Sequence, residues 1–399
     1  MYIRSKRIYT PDGCVKGILH LEDGKITDIL NYNARVMIDI DADDFRIIPG
    51  IIDTHNHGTM GYSLMGMDND TEETKEKTFR GYLKGLASQG VTACLPTADH
   101  NMFKAIVNVC KGDIDGARPL GIHSEGPYLN RVGEKGVDTG HPDIDLKYVE
   151  EMYNDSEGML KLMGVAPELE GSRELIEYLT SKGVRVAFTH SNMNYHEALE
   201  AFKWGITVTT HTANVMAGIH HRNMGGLGAC LLNEDVYNEL ICDGLHVSNE
   251  MIELMLRVKK DPYGKFMMIS DNVPMAGAPV GRYSLGGMGL EVNIDEKGYC
   301  LSDTGRLCGS TVPVIKGIKN MVENVGVGMK NVIRMASENP AKVYGATSKG
   351  RIEAGMDADI TIINDDYDVL YTLVEGKVVY DHKKDTDIFN NTFLDMFKL

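Results

Sequence analysis

Pro49-Gly50-Ile51-Ile52-Asp53-Thr54-His55-Asn56-His57-Gly58 opens with a turn, continues as an apolar run and closes on His-x-His. It reads as a buried strand ending in two imidazoles. Residues two apart in a strand face the same side, so His55 and His57 project together from its end. Two converging imidazoles suit a divalent metal. A bare pair of this kind is common by chance. Its weight comes from the rest of the chain.

Counting outward, the run Ile47–Asp53 is the first of eight. The others are Val91–Thr97, Pro119–Ser124, Leu160–Ala166, Val184–Thr189, Ile206–Thr210, Glu239–Cys242 and Phe266–Ser270. Amphipathic stretches lie between most of them. The clearest is Glu72–Gln89, where Phe79, Leu83 and Leu86 share a face and Gly90 stops the helix. Helices are also predicted over Asn101–Cys110, Leu146–Tyr153, Arg173–Lys182, Tyr195–Trp204 and Asn249–Val258. Eight strand-helix alternations are the arithmetic of a (β/α)8 TIM barrel, an α/β fold whose chemistry sits at the C-terminal ends of its strands. The eight runs close on His55 and His57, Thr97, Glu125, Glu168, His190, His211, His246 and Asp271.

The flanks differ. Residues 1–48 read as short strands (Tyr2–Tyr9, Cys14–Glu22, Ile26–Leu30) separated by Asp-Gly turns. Past Asp271, Gly281–Leu307 reads as a hairpin insertion over the barrel mouth, with turns at Gly286-Gly287 and Glu296-Lys297-Gly298. Helical stretches follow around Val312–Val325, Asn331–Ala336 and Pro340–Tyr344. Strands return at Asp359–Asn364, Val369–Val374 and Lys377–Tyr380. The expected organisation is a barrel over 49–349, inserted into a small β-sandwich built from 1–48 and 350–399.

Composition bounds the function. The 399 residues carry a formal net charge of −16 with acids spread throughout, which argues against nucleic acid or an anionic membrane as partner. The seven cysteines are scattered without a C-x-x-C and read as reduced thiols of a cytoplasmic protein. The N-terminal Met-Tyr-Ile-Arg-Ser-Lys-Arg has no apolar signal core, and no run of membrane-spanning length is seen.

The strand-end donors are His55, His57, Glu125, His190, His211 and Asp271. Imidazole and carboxylate ligands suit Zn2+, Fe2+, Mn2+ and similar ions without choosing among them. A carboxylate can bridge two ions, and Glu125 has strand-end histidines on both sides in sequence. A bound metal activates water and polarises a carbonyl. Asp271 is the candidate to order and deprotonate that water and to protonate the leaving group. The set describes metal-assisted hydrolysis. His220-His221-Arg222 forms a compact basic cluster in a loop, suited to holding a phosphate in an acidic protein. His20, His100, His196 and His382 read as structural, and His123 as packing beside Glu125.

These residues stand in longer motifs: PGIIDTHNHG (49–58), GIHSEGPYLN (121–130), KGVDTGHP (135–142), APE (166–168), FTHSN (188–192), GITVTTHTANVMAG (205–218), CDGLHV (242–247), ISDNVPMAG (269–277), LCGS (307–310) and GMDADITI (355–362). Nearly end to end, the chain resembles the N-acetylglucosamine-6-phosphate deacetylase family of the amidohydrolase superfamily. The resemblance implies that Glu125, His190 and His211 hold the main metal. His55 and His57, with Asp271, would allow a second. It implies one or two divalent ions per subunit, Zn2+ favoured, with Fe2+, Mn2+, Co2+ or Ni2+ as alternatives. Asp271 would be general base and then acid. His141, beside Gly140, would polarise the acetamide carbonyl or bind the sugar. Asp243 and His246 would contact the substrate, and Leu307, Cys308 and Gly309 would line the sugar pocket. The Asn214-Val215 backbone and Arg222 would hold the 6-phosphate, Arg222 reaching a neighbour's site in a homodimer. The implied substrate is a phosphorylated amino sugar.

Three segments depart from the family pattern: Thr212–Met216, Asn272-Val273-Pro274 and Thr59–Met65. All sit at the expected mouth, so they bear on substrate identity rather than reaction class. The alternatives are N-acetylgalactosamine 6-phosphate, an unphosphorylated amide, or a catalytically inert barrel that senses an amino sugar. Cyclic-amide hydrolases of the superfamily bridge their metals with a carboxylated lysine, and no strand-end lysine occurs here.

Overall fold

The structure is a computed structural model describing residues 1–66, 70–130, 141–285, 290–303 and 305–393. Its core is a series of parallel strands in sequence order. They are β1 (Ile51–Asp53), β2 (Val91–Cys94), β3 (Ile122–Glu125), β4 (Leu160–Val165), β5 (Arg185–Phe188), β6 (Ile206–Thr209), β7 (Tyr237–Ile241) and β8 (Phe266–Ile269). Strands β3 to β8 form one six-stranded sheet, and β1 pairs with β2 in another. Two isolated parallel bridges join the sheets, Thr97 to His123 and Asn56 to Asn272. Parallel strands are covered on their faces, which is why these segments read as nearly unbroken apolar runs. Leu162, Ala187, Val208 and Met267, from β4, β5, β6 and β8, pack in one buried cluster.

Helices occupy most of the predicted intervals. Glu72–Ser88 starts where the Thr71 hydroxyl accepts from the Thr74 amide at 3.2 Å, and it buries Phe79, Tyr82, Leu83 and Leu86. Gly90, at φ +83°, turns the chain into β2. Gly225–Leu232, a helix not predicted, lies between β6 and β7. It is apolar all round, so periodicity gives no signal. Among the described residues, no helix is long and apolar enough to cross a membrane.

The N- and C-terminal segments meet in one seven-stranded sheet. Its central strand, Ile40–Pro49, pairs parallel with Tyr2–Thr10 and antiparallel with Ile360–Ile363. That strand was not expected, because Asp41, Asp43 and Asp44 make it look like a loop. Cross-strand cations answer the charges: Lys6 lies 3.0 Å from Asp43 and 2.9 Å from Asp44, and Arg4 pairs with Asp41. The predicted run Ile47–Asp53 therefore divides between two sheets at Gly50. A Cβ there would lie 2.0 Å from the Thr92 hydroxyl, so only glycine lets the two strands approach. The Gly281–Leu307 insertion contains three antiparallel strands, Gly281–Leu285, Leu290–Ile294 and Cys300–Ser302, rather than a hairpin. Its expected Gly286-Gly287 turn lies outside the described residues. The seven cysteines are free.

Candidate metal centre and active site

Strand ends bring the six donors together. Asp53, fully buried at the end of β1, accepts from the Ser270 hydroxyl at 2.6 Å and the Asn56 amide at 3.0 Å, tying β1 to the segment after β8. Backbone bonds complete the seam: Asp271 N to His55 O at 2.9 Å and His57 N to Asn272 O at 2.8 Å. His190, His211 and Asp271 take left-handed backbone, at φ +47°, +27° and +51°. Such residues cost about 1–3 kcal/mol each and persist where the surroundings over-determine them. Here each turns its side chain off a strand end into the centre.

Two donor groups result, His55–His57–Asp271 and Glu125–His190–His211. Glu125 faces both. Its Oε2 lies 3.5 Å from His55 Nε2 and 3.1 Å from His57 Nε2; its Oε1 lies 3.4 Å from His190 Nε2 and 3.1 Å from His211 Nε2. Asp271 Oδ1 stands 3.4 Å from both His55 and His57, whose own Nε2 atoms are 3.3 Å apart. The His190 and His211 Nε2 atoms are 3.1 Å apart. Donors held tetrahedrally about 2.0–2.1 Å from a Zn2+ ion stand roughly 3.3–3.4 Å from one another. The residues therefore fit a divalent metal at each group. Facing imidazole nitrogens point the same way, since such a pair shares at most one hydrogen bond unless a cation lies between.

Electrostatics agree. Burial disfavours the Glu125 carboxylate, yet the His55, His190 and His211 imidazoles outweigh it and hold its pKa well below the ordinary value. Asp271 behaves likewise against burial, through His55 and His57. Burial disfavours charge on His57, but Asp271 and Glu125 raise its pKa to about 9. His123 is buried beside His55, ring centroids 4.6 Å apart, and burial pushes its pKa well down. Its Nδ1 meets the Thr97 hydroxyl at 3.0 Å, matching the expected packing role.

Around the donors, Asp243 Oδ2 lies 2.7 Å from His246 Nδ1 and its Oδ1 accepts from the Leu245 and His246 amides, orienting the His246 ring. Asn214 is buried, its amide bonded to the His211 carbonyl, in a turn where Ala213 and Val215 have positive φ. The segment holding Leu307, Cys308 and Gly309 is brought beside Asp271 by the Ser310 amide, which donates to the Asp271 carbonyl at 3.0 Å. Gly309 sits at φ +70° where a Cβ would strike Val273. His220-His221-Arg222 lies at an exposed loop tip closed by His220–Asn223 backbone bonds. Arg222 makes no ion pair among the described residues. His141 is exposed, its Nδ1 3.2 Å from the Pro142 carbonyl, and the described contacts do not link it to the donors. Gly140 lies outside the described residues. A cavity of about 590 Å³ opens beside Glu125, lined by Ala98, Ser124, Gly126, Pro127 and Tyr148. Among the described residues, none of its lining comes from the segments after β6, β7 or β8.

Two carboxylates had no predicted role. Glu168 accepts from Asn130 at 2.7 Å, the Ser191 hydroxyl at 2.7 Å and the Asn192 amide at 2.6 Å, fixing the loop after His190. Glu239, in β7, reaches His55. Glu239 opened the predicted run Glu239–Cys242, and a charged residue at the head of an otherwise apolar run was the available signal.

Residues 46–379 match the model of the Amidohydrolase family. The chain is 31% identical over 369 residues to N-acetylglucosamine-6-phosphate deacetylase of Vibrio furnissii, covering 90% of each chain. It is 30% identical to N-acetylgalactosamine-6-phosphate deacetylase of Escherichia coli O157:H7, over 94% of this chain and 98% of the relative. The crystal structure of N-acetylglucosamine-6-phosphate deacetylase from Pasteurella multocida superposes with a TM-score of 0.80 at 28% identity, covering 94% of this chain and 98% of that one. With the family's model matched from the central strand of the terminal sheet, Ile40–Pro49, to residue 379 near the end of the chain, this protein belongs to the amidohydrolase family and is a metal-dependent amidohydrolase.

Proposed function

We propose that the protein hydrolyses the N-acetyl group of N-acetylglucosamine 6-phosphate, giving glucosamine 6-phosphate and acetate. The observation that carries this reading is the single carboxylate, Glu125, facing two imidazole pairs beside Asp271. Glu125, His190 and His211 would hold one divalent ion, and His55, His57, Asp271 and Glu125 a second, Zn2+ favoured. The metal supplies an acidified water and a polarised carbonyl. Asp271, with one oxygen turned to the His pair, takes the proton from water onto the other and returns it to the leaving amine. His246, held by Asp243, orients a sugar hydroxyl. His141 polarises the acetamide or binds the sugar. Asn214, Val215, Leu307, Cys308 and Gly309 line the sugar side, and Arg222 holds the 6-phosphate, in a homodimer the neighbour's.

We also infer that β1 to β8 close into a (β/α)8 barrel over 49–349, in a cytoplasmic enzyme. The bridges at Thr97–His123 and Asn56–Asn272, and the shared cluster of Leu162, Ala187, Val208 and Met267, support closure. The terminal sheet has its own core, which joins Ile3, Ile26, Ile47 and Ile362 from four strands, and this supports reading 1–48 and 350–399 as a small β-sandwich.

The test is acetate release after reconstitution with Zn2+. Absence of turnover on both 6-phosphorylated N-acetylhexosamines would overturn the reading. The similarity to the Escherichia coli relative favours a second reading, the galacto substrate, and relative kcat/KM on the two epimers decides. Arg222→Ala is expected to lower kcat/KM about 10–100-fold on the phosphorylated substrate, the worth of a charged hydrogen bond, and to leave the unphosphorylated sugar unchanged. Equal losses on both would remove Arg222 from the phosphate site.

A further inference from the structure

Glu239 is a fully buried carboxylate that the reaction above does not use. It projects from β7, and its oxygens are divided between two neighbours on one segment. Oε1 accepts from the Thr54 hydroxyl at 2.9 Å, and Oε2 lies 3.3 Å from His55 Nδ1. His55 is equally buried. A carboxylate here is costly to desolvate, and an apolar side chain would fill the space more cheaply. Its chemical effect on His55 is specific. An Nδ1–H donated to Glu239 leaves the Nε2 lone pair facing His57, Glu125 and Asp271. A carboxylate behind a ligating imidazole fixes its tautomer and ring angle and raises its basicity. The other donor group lacks this support at His211, whose Nδ1 is buried with no hydrogen-bond partner among the described residues.

We propose that Glu239 is a positioning residue that holds His55 in the Nδ1–H form and so makes the His55–His57–Asp271 group, with Glu125, a metal site in its own right. The proposal rests on the two-metal reading above. It acts on one site of the two, and that selectivity separates it from general structural support.

The experiment loads metal-free protein with Zn2+ against a chromophoric chelator and counts bound metal by mass spectrometry. The wild type is expected to take up two equivalents per chain. Glu239→Gln, close in size and without charge, should keep the unfolding temperature of the metal-free protein and weaken one equivalent about 10–100-fold. In a His190→Ala background, where the four-donor site remains, Glu239→Gln should weaken the remaining equivalent by a similar factor. In a His55→Ala/His57→Ala background it should change nothing further. Glu239→Leu should act as Glu239→Gln does or more strongly; if it does not fold, the Gln variant decides. Two wild-type equivalents that Glu239→Gln weakens equally, or leaves untouched, overturn the role of Glu239. A wild type that binds one equivalent overturns the two-metal reading and this assignment with it, while acetate release judges the deacetylase reading separately.

Discussion

The two donor groups share Glu125 but are built differently. The one at the end of β1 offers four donors, His55, His57, Glu125 Oε2 and Asp271 Oδ1, spaced 3.1–3.5 Å apart in the five measured pairs, with Glu239 behind His55. The one at the ends of β3, β5 and β6 offers three, spaced 3.1–3.4 Å, with His211 Nδ1 unpaired among the described residues. Closed tetrahedral sets retain an ion, while three-donor sets leave a position for water or substrate. The difference teaches that the His55-Asn56-His57 stretch, the most visible feature of the sequence, belongs to the closed set. The open set, with three donors, comes from residues far apart in the chain.

The comparison can be broken most severely at the shared atom pair. Glu125→Ala should remove metal from both groups and abolish acetate release; one full equivalent retained in metal analysis would mean that the groups do not depend on one carboxylate. His190→Ala or His211→Ala should empty the open group and cost more activity than His55→Ala/His57→Ala, and the reverse ranking would exchange the roles of the two groups. Asp271→Asn should keep the fold and lower kcat about 10²–10⁴-fold, the range for a lost general base. Unchanged rates would leave Asp271 as a ligand alone.

A smaller effect sharpens the same contrast. Imidazoles must lose their protons to bind metal. In the metal-free protein the His57 pKa is raised to about 9, so at pH 7 His57 is protonated and Zn2+ uptake should release its proton. The release should shrink as pH rises through 9, and it should vanish in the His55→Ala/His57→Ala variant. Titration of weakly buffered protein with a pH indicator measures it. Release that does not change across that range would place the raised pKa elsewhere.

The parallel strands were legible because burial on both faces writes itself as apolar runs. Their observed limits fall within a few residues of the predicted ones. The charged strand Ile40–Pro49 was not, since only its partners Arg4 and Lys6, some 37 or 38 residues away in the chain, make its acids tolerable. The apolar helix Gly225–Leu232 was hidden because a helix of apolar residues throughout has no polar face to set a period.

By itself the sequence determined which residue types stand at strand ends, because the alternation of apolar run and amphipathic helix is a local property. From that came the six donors and the class of chemistry. Only the tertiary structure decided how they divide into a closed and an open group, that Glu125 presents one oxygen to each, and that Glu239 stands behind His55 from a strand 184 residues away. Those are distances between strands brought together by the fold, and no local pattern of side chains encodes them.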